Sequence, residues 1–234
     1  DMTFLEEDRN DMGHTRLYRV PTGYRVELRY QEAGLPHIVE ADAAFGHVRA
    51  LLRWDDRYVA TALTSMLRIV FAQAVLVHDA VSLHASVVTN GGQAFLFMGK
   101  SGTGKSTHSR LWLNYIENTE LLNDDNPVIR VFDSGAVVYG TPWSGKTPCY
   151  KNQSVPLKAV VRLSQAPYNK VERLIPLKAY ASLMPSCSCM RWDRQSTDRL
   201  HATVEKVIMN TGCWHLECLP DADAAHVCCS AVKC

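Results

Sequence analysis

Neither sign of charge prevails in this chain: 25 Lys and Arg stand against 24 Asp and Glu, a formal net charge of +1 with histidine neutral. That balance gives no support to wholesale nucleic-acid or membrane binding, so neither is expected as a partner. Long apolar runs are also missing. The stretch Met66 to Val77 is interrupted by Arg68 and Gln73 and reads as too short to span a bilayer. No charged-then-apolar leader opens the sequence, and no repeat or low-complexity segment interrupts it. Zinc-like spacing is scarce. Among the eight cysteines, Cys187-Ser-Cys189 and Cys228-Cys229 are not spaced as C-x₂₋₄-C, and Cys213-Trp-His215 with Cys218, the nearest thing to a ligand cluster, alternates as a strand does. A chain of this length needs no disulfide staples, so reduced thiols in a cytoplasmic setting are expected.

What is present supports an ordinary folded core, with 47% hydrophobic and 21% charged residues over 234 positions. The first fifteen residues, acidic at Glu6-Glu-Asp8, read as a solvated or frayed start. Arg16 to Val20 and Tyr24 to Tyr30 read as strands around a Pro-Thr-Gly turn. Residues 1–60 thus form a small N-terminal β-rich part, and 61–234 the main domain. Thr61 to Val77 has helical spacing of its apolar residues. Val81 to Thr89 reads as a strand, and Asn90-Gly-Gly92 as a hairpin turn into a further strand, Ala94 to Met98. Those two strands should be antiparallel neighbours. Glu120 to Asp125, Val128 to Phe132, Ala136 to Tyr139, Leu157 to Leu163 and Trp214 to Leu219 also read as strands. Helices are expected over Asp198 to Asn210 and after Asp221, a candidate cap. Hairpins mixed with helices point to an α/β domain with a mixed sheet.

Eight residues carry most of the chemistry: Gly99-Lys-Ser-Gly-Thr-Gly-Lys-Ser106, which satisfies G-x-x-x-x-G-K-[ST]. A strand enters the motif and a helical pattern leaves it, as a phosphate-binding loop requires. Its glycines let backbone N–H groups turn toward anionic oxygens, and the helix start adds unpaired donors. Gly99, Lys100, Ser101, Gly102, Thr103, Gly104, Lys105, Ser106 and Thr107 are therefore the candidate nucleotide contacts. Lys105 should reach the β- and γ-phosphates, and Ser106 should ligate Mg²⁺.

A phosphate loop also needs a carboxylate for its metal. Asp124 and Asp125 close the strand that follows the loop helix, where open α/β folds hold ligands. Consecutive strand residues face opposite ways, so both serve one site only if the strand ends there, which Asn126-Pro127 favours. His84 sits mid-strand on the same face as Ser82 and Ser86, either as a structural histidine or as a partner of an aspartate. The Tyr139 to Lys151 segment, rich in glycine, proline and hydroxyls, reads as a shaped loop. In it Lys146 and Trp143 are candidate substrate contacts, as is Arg191 further on.

The order His84-Ala-Ser86, then the Gly99–Ser106 motif, then Leu122-Asn-Asp-Asp125 resembles the HPr kinase/phosphorylase family and its phosphoenolpyruvate-carboxykinase-like relatives. The resemblance spans residues 80 to 130. With the Gly-Thr-Pro-Trp-Ser-Gly-Lys146 segment it is nearest the HPr-kinase-like proteins outside the regulatory kinase itself. It implies a mixed-sheet nucleotide domain of that type, with the paired aspartates as proton acceptor and metal contact, and His84 as a site residue. Homo-oligomers also occur among such relatives. No counterpart of the glycine-rich signature that follows the aspartates in the regulatory enzyme is seen here. The expected function is an ATP- and Mg²⁺-dependent kinase acting on a hydroxyl of a small molecule or of a peptide or protein serine. Asp124, Lys105 and His84 would be catalytic, and Ser106 with Asp125 would hold the metal. The alternatives are a nucleotide-sensing regulatory protein and a slow ATPase.

Overall fold

The computed structural model describes residues 1–10, 13–31, 34–145 and 147–233, and these form two compact units. The first comprises residues 1–77 and 189–197, the second 78–188 and 198–234.

In the first unit, β1 (Thr3–Asn10), β2 (Gly13–Val20), β3 (Gly23–Arg29), β4 (His37–Asp42) and β5 (Val48–Leu51) form an antiparallel meander in chain order. The β2–β3 turn needs glycine. At Gly23, with φ of 147°, an added Cβ would lie 2.2 Å from the Ala41 carbonyl oxygen. Of the solvated or frayed start expected for the first fifteen residues, the solvation is as read and the fraying is corrected: β1 is exposed yet pairs with β2 along its length. Because β1 is almost wholly exposed, it is held by ladder hydrogen bonds and leaves no apolar alternation to read.

Helix α1 (Val59–Ala74) buries Ala62 and Met66 against Tyr24, Val26, Leu28 and Val39 of that sheet. A 3₁₀ turn continues it through Val75–His78, so the helical stretch is 20 residues, long and apolar enough to cross a membrane by length and composition. This corrects the reading of Met66 to Val77 as too short. A core helix meets the same test, and α1 lays one face on a sheet as a core helix does. The segment 189–197 joins the unit through the Met190 N–H to Gln73 Oε1 (2.8 Å) and the Trp192 Nε1–H to Glu6 Oε2 (2.9 Å).

The second unit is built on a mixed sheet of nine strands among the described residues. They are β6 (Ala80–Ser82), β7 (Ala85–Asn90), β8 (Gln93–Met98), β9 (Thr119–Asp125), β10 (Val128–Phe132), β11 (Gly135–Tyr139), β12 (Ser154–Gln165), β13 (Lys170–Arg173) and β14 (Gly212–Cys218). The order is β6-β10-β11-β12-β8-β7-β9, with β14 also on β12 and β13 on β14. β12 runs parallel to β8 and β14, and the other pairs are antiparallel. The β7–β8 hairpin turns at Gly91 and Gly92, with φ of 57° and 72°, the double positive φ of a type I′ turn.

Helices α2 (Lys105–Tyr115) and α5 (Ala222–Lys233) cover the face bearing Phe95, Phe97, Val161 and Leu163. Trp112 of α2 has no exposed surface and packs its ring 5.0 Å from Phe95 and 5.5 Å from Phe97. Truncating a tryptophan so placed costs about 3–5 kcal/mol. Asp221 caps α5, its Oδ1 accepting the Ala224 N–H at 2.9 Å. From β12, whose Val161 and Leu163 face α2 and α5, Arg162 sends Nη1 to the Ser182 carbonyl of α3 (Pro176–Leu183). Tyr180 of α3 stacks on and hydrogen-bonds His201 of α4 (Arg194–Asn210).

The single strand expected over Val81 to Thr89 is also corrected. It breaks at Leu83-His84, whose N–H groups go to the carbonyls of Pro127 (3.1 Å) and Ser186 (2.8 Å). His84 therefore leaves the alternation that placed it beside Ser82 and Ser86. The seven described cysteines are free thiols, and His215 of β14 bonds Ser164 at 2.7 Å.

Candidate active site

Between β8 and α2 the chain makes a tight loop whose shape glycine decides. Gly102 and Gly104 have φ of 78° and 106°, conformations that side chains resist. Gly99 faces the Leu163 carbonyl oxygen, which a Cβ would approach to 3.1 Å. Thr103 closes the turn on the Lys100 carbonyl through both N–H (3.1 Å) and Oγ1 (2.7 Å). Helix α2 then starts at Lys105 with no side-chain cap, leaving its first amides to other partners. Lys105 is only 9% exposed and turns back, its Nζ donating to the carbonyls of Gly99 (3.1 Å) and Lys100 (3.4 Å). Burial pulls its pKa below the usual lysine range, and the nearby charges of Asp125 and Asp124 oppose that pull.

β9 lies beside β7, pairing Asp124 with Ser86 and Asp125 with Ala85. A bulge at Leu122 shifts the register, and the strand ends at Asp125. The fully buried Asn123 shapes that end: its Oδ1 accepts the N–H groups of Asp125 (3.2 Å) and Asn126 (2.9 Å). The same side chain donates from Nδ2 to the Trp143 carbonyl (3.0 Å) and to Thr141 Oγ1 (3.2 Å). Thr141 Oγ1 bonds the Asn126 carbonyl, and Ser82 Oγ bonds Asn126 Oδ1. Gly145 donates its N–H to the Asp124 carbonyl at 2.6 Å, where a Cβ would stand 2.5 Å from that oxygen. Strand end and covering loop are thus one hydrogen-bonded piece.

These elements enclose a cavity of about 420 Å³ lined by His84, Lys105, Ser106, Asp124 and Asp125, with Ser86, Arg110, Gly145 and the loop around them. His84 Nδ1 lies 3.2 Å from Asp125 Oδ1. Asp124 is 3% exposed, and its buried Oδ2 has no hydrogen-bond partner among the described residues. Two carboxylates, a lysine, an imidazole and a run of glycine amides share one small space.

A family model described as "SynChlorMet cassette protein ScmC" matches residues 52–214. The chain belongs to the ScmC family. No curated protein sequence matches it. Among solved structures, the HPr(Ser) kinase/phosphatase from Coxiella burnetii matches at 9% identity with a TM-score of 0.36, covering 65% of this chain and 93% of that one. At that score the likeness carries no argument about activity.

In this ScmC-family chain, most of the residues singled out in the sequence meet at the cavity. Ser101, Gly102, Gly104, Lys105, Ser106, Thr107, His84, Asp124 and Asp125 line it. Gly99 and Lys100 take part through their carbonyls, and Thr103 faces a second cavity across the loop. Trp143 offers a backbone carbonyl to Asn123 and is not among the cavity's lining residues. Arg191 belongs to the first unit, not to the unit that carries the loop. Lys146 lies outside the described residues. Sequence reasoning passed over Asn123, Gly145 and Arg110. The last follows Ser106 by one helical turn, so i,i+4 spacing could have found it. Asn123 gives no such signal, because its partners lie in a distant loop.

Proposed function

We propose that this chain is a phosphotransferase that uses ATP or another nucleoside triphosphate with Mg²⁺ and acts on a hydroxyl. The acceptor would be a small molecule or a peptide or protein serine. The observation that carries this reading is the convergence of the glycine loop, Lys105, His84 and the aspartate pair on one cavity. The incoming hydroxyl oxygen would form a bond to the γ-phosphorus as the bond to the β,γ-bridging oxygen breaks, releasing the nucleoside diphosphate. Asp124 would take the hydroxyl proton, being buried with one oxygen unbonded. Lys105, now bonded to carbonyls of its own loop, would swing onto the phosphates and gain a charged partner. His84 would hold the Asp125 carboxylate in place.

Ser106 and Asp125 would hold the metal. No group of three or more His, Cys, Asp or Glu that could hold a metal ion occurs among the described residues. Magnesium bound with a nucleotide does not require one, taking one or two protein ligands besides phosphate and water. When bound, the ion offsets charge on the phosphates. The residues present fit that role, since the Ser106 hydroxyl and the Asp125 carboxylate are hard oxygen donors lining the same cavity as the glycine loop.

The test is incubation with γ-labelled ATP, Mg²⁺ and a panel of serine peptides, sugars, amino acids and cell extract. Label on an acceptor is expected. ADP formed equally without any acceptor would make the protein an ATPase. Tight nucleotide binding with no ADP under any condition would make it a sensor.

A further inference from the structure

The Gly99–Ser106 loop separates two cavities. The second, of about 590 Å³, lies between the start of α2, the end of β12 and the residues after β14. Its walls include Thr107, Leu111, Leu163, Cys218, Leu219 and Pro220. Gly102, Gly104 and Thr107 border both spaces, so a ligand lying across the loop amides would put one end into each.

The two ends must differ in chemistry. Carboxylates, lysine and histidine surround the first cavity, whereas the second is walled by leucines, a proline and a thiol. It also holds an unusual polar group. His108 is 2% exposed, and Trp112 Nε1–H donates to its Nε2 at 3.1 Å. That bond makes Nε2 the acceptor and leaves the proton of the neutral ring on Nδ1. Nδ1 is buried without a partner among the described residues. Gln165 Nε2 reaches the Gly102 carbonyl at 3.4 Å, tying the rim of this cavity to the loop.

We propose that the second cavity is the nucleoside subsite: the base lies against Leu111, Leu163 and Leu219, and the polyphosphate crosses the loop toward Asp124. A flat, largely apolar ring system matches the lining of leucines and proline beside the loop, and the volume is that of a small-molecule site. The inference rests on the nucleotide reading above, and inorganic tripolyphosphate separates the two.

Leu219, 38% exposed at the cavity rim, is the residue to enlarge. In L219W, Mg–ATP affinity measured by titration calorimetry should fall at least tenfold while tripolyphosphate affinity stays within twofold of the unsubstituted protein. In the unsubstituted protein, ATP and not tripolyphosphate should slow iodoacetamide labelling of Cys218, read by peptide mass. Unchanged ATP affinity in L219W, or Cys218 labelled equally fast with ATP bound, overturns the subsite. If L219W loses both ligands together, the variant has lost its fold and the Cys218 measurement decides. If neither ATP nor tripolyphosphate binds the unsubstituted protein, the nucleotide reading itself fails.

Discussion

The two cavities that share the glycine loop are built by opposite means. On the aspartate side, charged groups are aimed by a buried polar network: Asn123 ties Asp125, Asn126, Thr141 and Trp143 together, and Gly145 clamps the Asp124 carbonyl. On the leucine side, burial does the work, with His108 under Trp112 and apolar residues from β12 and the β14 exit closing the wall. Hydrogen bonds are directional and fail singly, whereas apolar walls are tolerant and fail by volume. Substitutions should therefore separate transfer from nucleoside affinity according to the side they touch.

The sharpest test of that division is Asp124→Asn. It keeps shape and removes the proton acceptor, so phosphoryl transfer should fall by about 10³-fold, roughly 4 kcal/mol. Nucleotide affinity should hold within a few-fold, by single-turnover label transfer beside titration. Turnover within tenfold of the unsubstituted protein would remove Asp124 from the mechanism. Lys105→Ala acts on the aspartate side at the phosphates, and should cost about 2–4 kcal/mol in kcat/KM while also weakening tripolyphosphate.

The leucine side has a pH signature. Burial pushes the His108 pKa down to about 4, from near 6.5 in the unfolded chain. Between those values the unfolded chain binds a proton that the native state refuses. Stability is therefore intact above about pH 6.5 and lost as pH falls toward 4, by about 3 kcal/mol in all. His108→Gln keeps an acceptor for Trp112 and should flatten that acid limb, measured by urea unfolding at pH 7 and 4.5. An unchanged limb would place the titration elsewhere.

The smallest effect expected is Asn123→Ala, which strips partners from two backbone N–H groups. It should cost about 2 kcal/mol of stability. Transfer should fall with it while ATP affinity is kept, since the leucine side is untouched. Equal loss of affinity and transfer would join the two sides that the comparison keeps apart.

Much of this fold could be read before it was seen. The β7–β8 hairpin, the strand-loop-helix around Gly99–Ser106 and the capped last helix depend on neighbours in sequence, and the structure has them as read. The errors fell where the local pattern is silent or distant partners decide. β1 has no apolar alternation to mark it, although β2, which holds it, is the next strand, and the strand breaks at Leu83-His84 because Pro127 and Ser186 take their N–H bonds. Of the site, the aspartate pair and the loop were legible as motifs. The second cavity was not, because Leu163, His108 and Leu219 meet only through the packing of three separate elements.

By itself the sequence determined the local conformations: positive φ at Gly102 and Gly104, the turn at Gly91-Gly92, and the helix that opens at Lys105. These follow from torsional preferences and short-range spacing, which a residue carries wherever it stands. Only the tertiary structure decided that Asp124 and Asp125 share one cavity with His84, that Arg191 belongs to the other unit, and that an apolar space lies across the loop. Those outcomes depend on strand register and on hydrogen bonds such as that from Asn123 to Trp143, which exist only once distant segments are packed together.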